Sequence, residues 1–423
     1  MPDEAHATNT VIVGAGHAAS EAAVSLRQKG YKGRLHMLGE EPYQPYQRPP
    51  LSKGYLSGEA DEQALYLKPT SMYEKLGIDV RTGIRVVKVD PVRQLVTLAD
   101  GTEEPYDKLI LATGGRPRPL SLAHEAKSAR RLSNLHYLRT IDDVISIRRQ
   151  FKPGFRLAII GGGYIGLEVA AIASRHRVHV TVLEALPRVL ARVTAPALSA
   201  FYEQVHREAG VDIRTSAQVE RLELDASGDA VKAVVCADGT VLTTDFLIVG
   251  IGLIPNVELA QEAGLTVDNG IAVDQSGRTS DPNIFAIGDC SSHPSALYGR
   301  RVRLESVPNA LEQARCVAAA LCGQPCPDEA VPWFWSDQYD LKLQMAGLSH
   351  GYDTLVVRGK PSARSFIAFY LKDGRMIAAD AVNSPAAFML AKRVVAKQPL
   401  INDHSALADE TIPLQSVFSD AAQ

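Results

Sequence analysis

Two glycine-patterned turns, each set between a short apolar run and a helical pattern, constrain this 423-residue chain more than any other feature. Thr10-Val-Ile-Val13 reads as a buried strand that ends at Gly14-Ala15-Gly16-His17-Ala18-Ala19. A helical pattern follows to about Lys29, and Arg34 to Leu38 reads as a second parallel strand. The plan recurs far downstream: Arg156 to Ile160 leads into Gly161-Gly162-Gly163-Tyr164-Ile165-Gly166, a helix to about Arg175, and a strand over Val178 to Leu183. Both are βαβ units, and their long separation marks a duplicated unit rather than a short-period solenoid.

A GxGxxG pattern alone is weak. Strand before, helix after and an acid closing the next strand make it specific, and both copies meet all three conditions. In the first, Gly14 permits the tight turn, Gly16 lets backbone approach a pyrophosphate, and Ala19 stands in place of the third glycine. The exposed N–H groups and the helix dipole would hold phosphates, and Glu40 is placed to accept from ribose hydroxyls. In the second, Gly161, Gly163 and Gly166 complete the pattern and Glu184 ends the second strand. A 2′-phosphate about 4 Å from that carboxylate would be repelled by roughly 4 kcal/mol per unit charge, which favours NADH over NADPH. Arg188 lies four residues on and is expected to face solvent. The plain alternative for each copy is a glycine-rich turn with an unrelated acid, and spacing does not decide which dinucleotide each holds.

The length suggests two to three domains. Ile110 to Gly114 reads as a strand broken by Arg116-Pro-Arg-Pro119, and Phe246 to Val249 as one running into Gly250-Ile-Gly-Leu-Ile-Pro-Asn256. Asn283 to Ile287 reads as a third, ending at Gly288-Asp289. After about residue 328 the period becomes alternating, as in 353–359 and 365–371, which predicts a separate α+β domain. A net charge of −3 argues against nucleic acid as a partner. No apolar run approaches the length of about 20 residues that spans a bilayer. MPDEAHATNT reads as a short frayed tail rather than a secretory signal. The five cysteines, 236, 290, 316, 322 and 326, form no CxxC pair and no zinc spacing, so buried thiols in a reducing cytoplasm are expected.

The ordered set VIVGAG, RPPLSK, ATGGRPRPL, GGGYIGLE, GIGLIPN and AIGDC, with ESVPNALEQAR (305–315) and WFWSDQY (333–339), resembles the FAD- and NADH-dependent ferredoxin reductases of bacterial P450 and oxygenase systems. The resemblance implies an α/β fold with two Rossmann-like dinucleotide-binding domains, glutathione-reductase-like, plus the C-terminal α+β domain. It assigns FAD to residues 1–115 and 247–328, NAD to 116–246, and flavin covering and partner docking to 329–423. It also implies that Asp289 contacts the ribityl–pyrophosphate region and that Ala18, Val86, Arg139 and Val307 line the flavin cofactor. Arg48, Ala112, Thr113, Gly114, Tyr164, Ile165, Gly252 and Gly288 belong to the cofactor-binding motifs by the same likeness. Ala19 departs from the full glycine motif, which touches only the tightness of helix packing.

NADH delivers two electrons as hydride, whereas a [2Fe–2S] ferredoxin takes one at a time, and a flavin can do both. By resemblance Lys53 lies beside flavin N5 and Glu168 on the nicotinamide side. The two are expected to pair, with Lys53 stabilising negative charge on the reduced flavin. The plain alternatives are a solvated lysine and a helix-face carboxylate. No cysteine precedes Cys236, so a thiol relay next to the flavin is excluded and electrons must leave the flavin directly. Trp335 is expected near the flavin edge that faces the ferredoxin, while Trp333 is equally well a core or lid aromatic. Arg315 and Lys392 match partner-facing positions. Residues 341–400 hold nine Lys/Arg against three Asp, a local excess of six positive charges that would steer an acidic ferredoxin. The reading is a ferredoxin–NAD(+) reductase. Its rivals are a rubredoxin reductase, an NADH oxidase, and a redox interaction module like the apoptosis-inducing flavoproteins.

Overall fold

The computed structural model describes residues 8–122 and 132–420, so residues 1–7 of the expected N-terminal tail lie outside it. The chain divides into two compact units. Met1–Gln47, Glu62–Arg116 and Ile254–Pro332 form the first, and Arg48–Asp61, Pro117–Leu253 and Trp333–Gln423 the second.

The first unit is built on a five-stranded parallel sheet in the order Ile284–Ala286, Lys108–Leu111, Asn9–Val13, Arg34–Leu38, Ile78–Arg81. Its central strand is buried on both faces, which is why it reads as continuous apolar sequence rather than alternation. Helix His17–Gln28 places Ala18, Ala19, Ala22, Ala23 and Leu26 in one core cluster with Ala310, Ala314 and Ala318 of helix Val307–Leu321. The small side chains recur at helical spacing and let the two helices approach closely. The opposite face packs against an antiparallel trio, Val86–Asp90, Leu95–Leu98 and Glu103–Pro105.

In the second unit a parallel sheet runs in the order Asp212–Arg214, His179–Leu183, Arg156–Ile160, Phe246–Val249, Leu135–Tyr137. An antiparallel trio, Val219–Leu224, Val231–Cys236 and Val241–Thr243, accompanies it. The expected C-terminal change of period corresponds to a five-stranded antiparallel sheet. Its order is Trp333–Gln338, Leu341–Gly347, Arg375–Val382, Ser365–Lys372, Thr354–Lys360, and helix Pro385–Val395 packs on it.

Four features differ from the expectations above. Phe246–Val249 hydrogen-bonds to Leu157–Ile160 and so belongs to the second unit's sheet. Arg48–Asp61 also clusters with the second unit. Gly115–Pro117 forms a short strand where the prolines suggested only irregular chain. Proline is tolerated in a ladder this short because few N–H donors are needed. Finally, Cys316 and Cys326 are joined in a disulfide, leaving Cys236, Cys290 and Cys322 as thiols. The chain turns after helix Val307–Leu321 and returns along it, bringing the two Cα atoms to 4.6 Å.

Candidate active site

Each glycine turn has the shape a dinucleotide needs. In the first unit Gly14 has φ +115°, and a Cβ there would collide with the Ala112 carbonyl. A Cβ on Gly16 would meet nothing, so backbone is open to an approaching phosphate at that point. No side chain caps helix His17–Gln28 at Gly16, which leaves that end to an anion. Ala19 is fully buried, taking the packing role of a third glycine. Nearby, Thr113 Oγ1 donates to the Asn256 carbonyl at 2.6 Å, and Asn256 returns two donors, to the Thr113 and Gly114 carbonyls. Gly288, at φ +79°, lies against Ala18 with its N–H held by Gln313 Oε1 at 2.6 Å. Asp289 follows in the same short turn and is half-buried. Val86 is buried in the core of this unit, and Val307 opens its helix half-exposed. Glu40 is well exposed, 3.5 Å from Arg85.

The second turn repeats the design. Gly161 has φ +110°, a Cβ on Gly166 would strike the Gly161 carbonyl, and a Cβ on Gly163 would meet open space. Helix Tyr164–Arg175 likewise lacks a side-chain cap. Glu184 Oε2 accepts from Gly162 N at 2.7 Å and Oε1 from Leu186 N at 2.8 Å, so this acid braces the turn from beneath. Arg188 does not face solvent. Its guanidinium donates to the Thr194 and Ala191 carbonyls and to Ser199 Oγ at 2.7–2.8 Å, which withdraws it from any 2′-phosphate. Gly252, at φ +115°, accepts from Arg118 N. The residues present therefore fit two dinucleotides.

Between the helix of this second turn and the RPPLSK segment lies a buried ion pair. Lys53 Nζ donates to Glu168 Oε2 at 2.7 Å. Glu168 is 3% exposed and Lys53 20%. Ser52 Oγ also donates to Glu168 Oε2, and Ser336 Oγ donates to Oε1 at 2.6 Å. Three donors converge on one buried carboxylate, which is how a charge survives away from water. Arg48 Nη1 donates to the Arg139 carbonyl at 2.6 Å and anchors the start of the segment. Tyr164 Oη reaches Met345 Sδ and its ring lies 5.1 Å from that of Phe334. Burial, and then the charge of Asp380, pushes the Tyr164 phenol well above its ordinary range. Ile165 projects outward, 46% exposed.

Trp333 and Trp335 have ring centroids 5.6 Å apart, and Lys392 Nζ sits 4.7 Å above the Trp333 ring. Trp335 and Lys392 are thus brought to one cluster. In the other unit, Arg315 pairs with Glu21 at 2.6 Å. Ser52, Ser336, Gln338 and His206 were missed from the sequence. Ser52 and Ser336 sit beside residues already singled out, Lys53 and Trp335, and period-two alternation along Trp333–Gln338 would have turned Ser336 and Gln338 to the face opposite Trp335. For His206 nothing in the sequence stands out.

Two family profiles match the chain: pyridine nucleotide-disulphide oxidoreductase over residues 8–314, and reductase C-terminal over 333–418. Putidaredoxin reductase of Pseudomonas putida is 50% identical over 413 residues, 98% of this chain and 97% of that protein. A probable ferredoxin reductase of Castellaniella defragrans is 44% identical over 393 residues, 93% of this chain and 94% of that protein. The crystal structure of a covalent putidaredoxin reductase–putidaredoxin complex matches with a TM-score of 0.94 at 49% identity, covering 98% of this chain and 99% of that chain.

Proposed function

Because the chain belongs to the pyridine nucleotide-disulphide oxidoreductase family and carries a reductase C-terminal domain, we propose that it is an NADH-dependent flavoprotein ferredoxin reductase. It moves electrons from NADH, through bound FAD, to an acidic [2Fe–2S] ferredoxin that serves a cytochrome P450 or related oxygenase. The observation that carries this reading is the coexistence of two dinucleotide cradles with a chain whose first cysteine is Cys236. Two nucleotide sites without a flavin-side thiol pair leave direct electron exit as the chemistry.

FAD supplies the conversion of a two-electron to a one-electron donor when bound. The protein's own residues bind and orient. The Gly14–Ala19 turn, Thr113, Gly114 and the Gly288–Asp289 turn hold the first dinucleotide, and the Gly161–Gly166 turn holds the second. Glu184 disfavours a 2′-phosphate. Lys53, fixed by Glu168, presents positive charge toward the flavin. On this reading residues 1–115 and 250–328 form the flavin domain, 116–249 the nicotinamide domain, its sheet including strand Phe246–Val249, and 329–423 the docking domain. Trp335 and Lys392, with Arg315, meet the partner. No helix among the described residues is long and apolar enough to cross a membrane, and a cytoplasmic location, where NADH is supplied, is part of the proposed reading.

The test is NADH-driven reduction of cytochrome c, alone and with added [2Fe–2S] ferredoxins or rubredoxins. Stimulation specific to a [2Fe–2S] protein is expected. Stimulation by rubredoxin alone would make the chain a rubredoxin reductase, and no stimulation by any carrier would overturn the reductase reading in favour of an oxidase or an interaction module.

A further inference from the structure

Behind Glu168 the hydrogen bonds do not stop. Ser336 Oγ, which donates to Glu168 Oε1, accepts from Gln338 Nε2 at 3.2 Å. Gln338 Oε1 is 2.9 Å from His206 Nε2, and His206 Nδ1 is 3.0 Å from Tyr339 Oη. Ser336, Gln338 and His206 are all buried, at 0–1% exposure. Arg175 lies over the outer Tyr339 ring. The chain therefore runs unbroken from the Lys53–Glu168 pair to helix Pro196–Glu208.

Each link in this chain has one mobile proton or one amide orientation, so its polarity is all-or-none. His206 is buried, which lowers it to about 4 and leaves it neutral with a single ring N–H. With the Gln338 amide nitrogen toward Ser336, its oxygen needs a donor, so that N–H must be on Nε2 and Tyr339 must donate to Nδ1. The amide N–H of Gln338 then occupies a lone pair of Ser336, and the only serine proton points at Glu168. The opposite polarity would carry the proton on Nδ1, flip the Gln338 amide and turn the Ser336 proton away. Ser336 Oγ and a carboxylate oxygen would then face each other at 2.6 Å without a proton between them.

We propose that His206 is a positioning residue for the Lys53–Glu168 pair: its Nε2–H tautomer sets the direction of the Gln338–Ser336 chain so that Ser336 always donates to ionised Glu168. The proposal rests on the reading of Lys53–Glu168 as the flavin-side pair for its effect on turnover, but the coupling itself does not. The charged and titratable neighbours at the Glu168 end are Lys53, Tyr164 and Tyr202, and those at the His206 end are Tyr339 and Arg175.

The decisive measurement is nitrogen-15 NMR of histidine-labelled holoprotein near neutral pH. Wild type should show His206 as the neutral Nε2–H tautomer. In Glu168→Gln the new amide donates to Ser336, the chain reverses, and His206 should switch to Nδ1–H. A charged His206, or a tautomer unmoved by E168Q, overturns the proposal. The turnover arm compares two replacements of the ring. His206→Phe, which has no N–H, should slow flavin bleaching by NADH about tenfold at unchanged FAD content, the size of losing the hydrogen bond that Ser336 gives to Glu168. His206→Gln keeps a donor toward Gln338 and should recover most of the rate. Equal slowing in both would reduce His206 to packing and sink the positioning role. If Lys53→Met leaves bleaching unchanged, the flavin-side reading falls by itself, while the NMR result still decides the coupling.

Discussion

Lys53 and Glu168, 115 residues apart in sequence, form an ion pair of 2.7 Å in which the acid is almost wholly withdrawn from water. Two serine hydroxyls complete the coordination of the carboxylate. Breaking such a pair from one side leaves a buried charge behind. Lys53→Met should lower stability by about 3 kcal/mol, and E168Q by less, because the amide carries no charge. Denaturant midpoints of the two variants test the order. K53M should also slow hydride transfer in stopped flow while FAD remains bound.

Glu184 has both oxygens engaged by backbone N–H groups of its own turn. Glu184→Ala therefore removes a brace as well as a repulsive charge. The expected outcome is a raised KM for NADH together with a preference for NADH over NADPH that narrows by roughly tenfold. Steady-state kcat/KM for both nucleotides measures it.

Of the three acids among residues 341–400, Asp380 is buried, so the positive excess of that stretch is larger at the surface than in the sequence. Raising salt from about 0.05 to about 0.5 M should increase the KM for an acidic ferredoxin several-fold. Reduction of a small neutral acceptor should hardly respond. A KM for ferredoxin that ignores salt would remove steering from the account.

Asp380 itself accepts from Tyr370 Oη at 2.5 Å, and burial pushes its carboxyl up to about 7. Folded Asp380 thus binds its proton more tightly than the unfolded chain does. Its contribution to stability is full at low pH and is lost as pH climbs from about 4 through about 7. Asp380→Asn keeps an acceptor for Tyr370 and has no charge to bury. Its stability relative to wild type should rise over that window and level off above it, as followed by thermal melts from pH 5 to about 8.

The Cys316–Cys326 bridge closes a loop of about ten residues and should contribute about 2–3 kcal/mol. Melting with and without dithiothreitol should differ for wild type and coincide for Cys316→Ser.

Much of this is legible in the sequence. Glycines with fixed backbone duties made both βαβ units readable almost to the residue, since Gly14 and Gly161 occupy φ values other residues avoid. Lys53 and Glu168 stood inside recognisable motifs, so their pairing could be expected. The supporting shell could not. Ser336, Gln338 and His206 are ordinary polar residues whose meaning lies in which of them meet, and that depends on how a C-terminal strand packs on helices Tyr164–Arg175 and Pro196–Glu208. The disulfide was hidden for the same reason: nine residues of intervening chain say nothing about where a helix end turns back.

Strand Trp333–Gln338 places Phe334, Ser336 and Gln338 on one side, toward Tyr164, Glu168 and His206, while Trp333 and Trp335 lie with Phe388 and Lys392 on the other. A pleat with a period of two thus keeps two sets of contacts apart within one six-residue strand. A substitution at Trp333 or Trp335 should therefore leave the Ser336–Glu168 and Gln338–His206 contacts in place, and one at Ser336 or Gln338 should leave the tryptophan cluster in place.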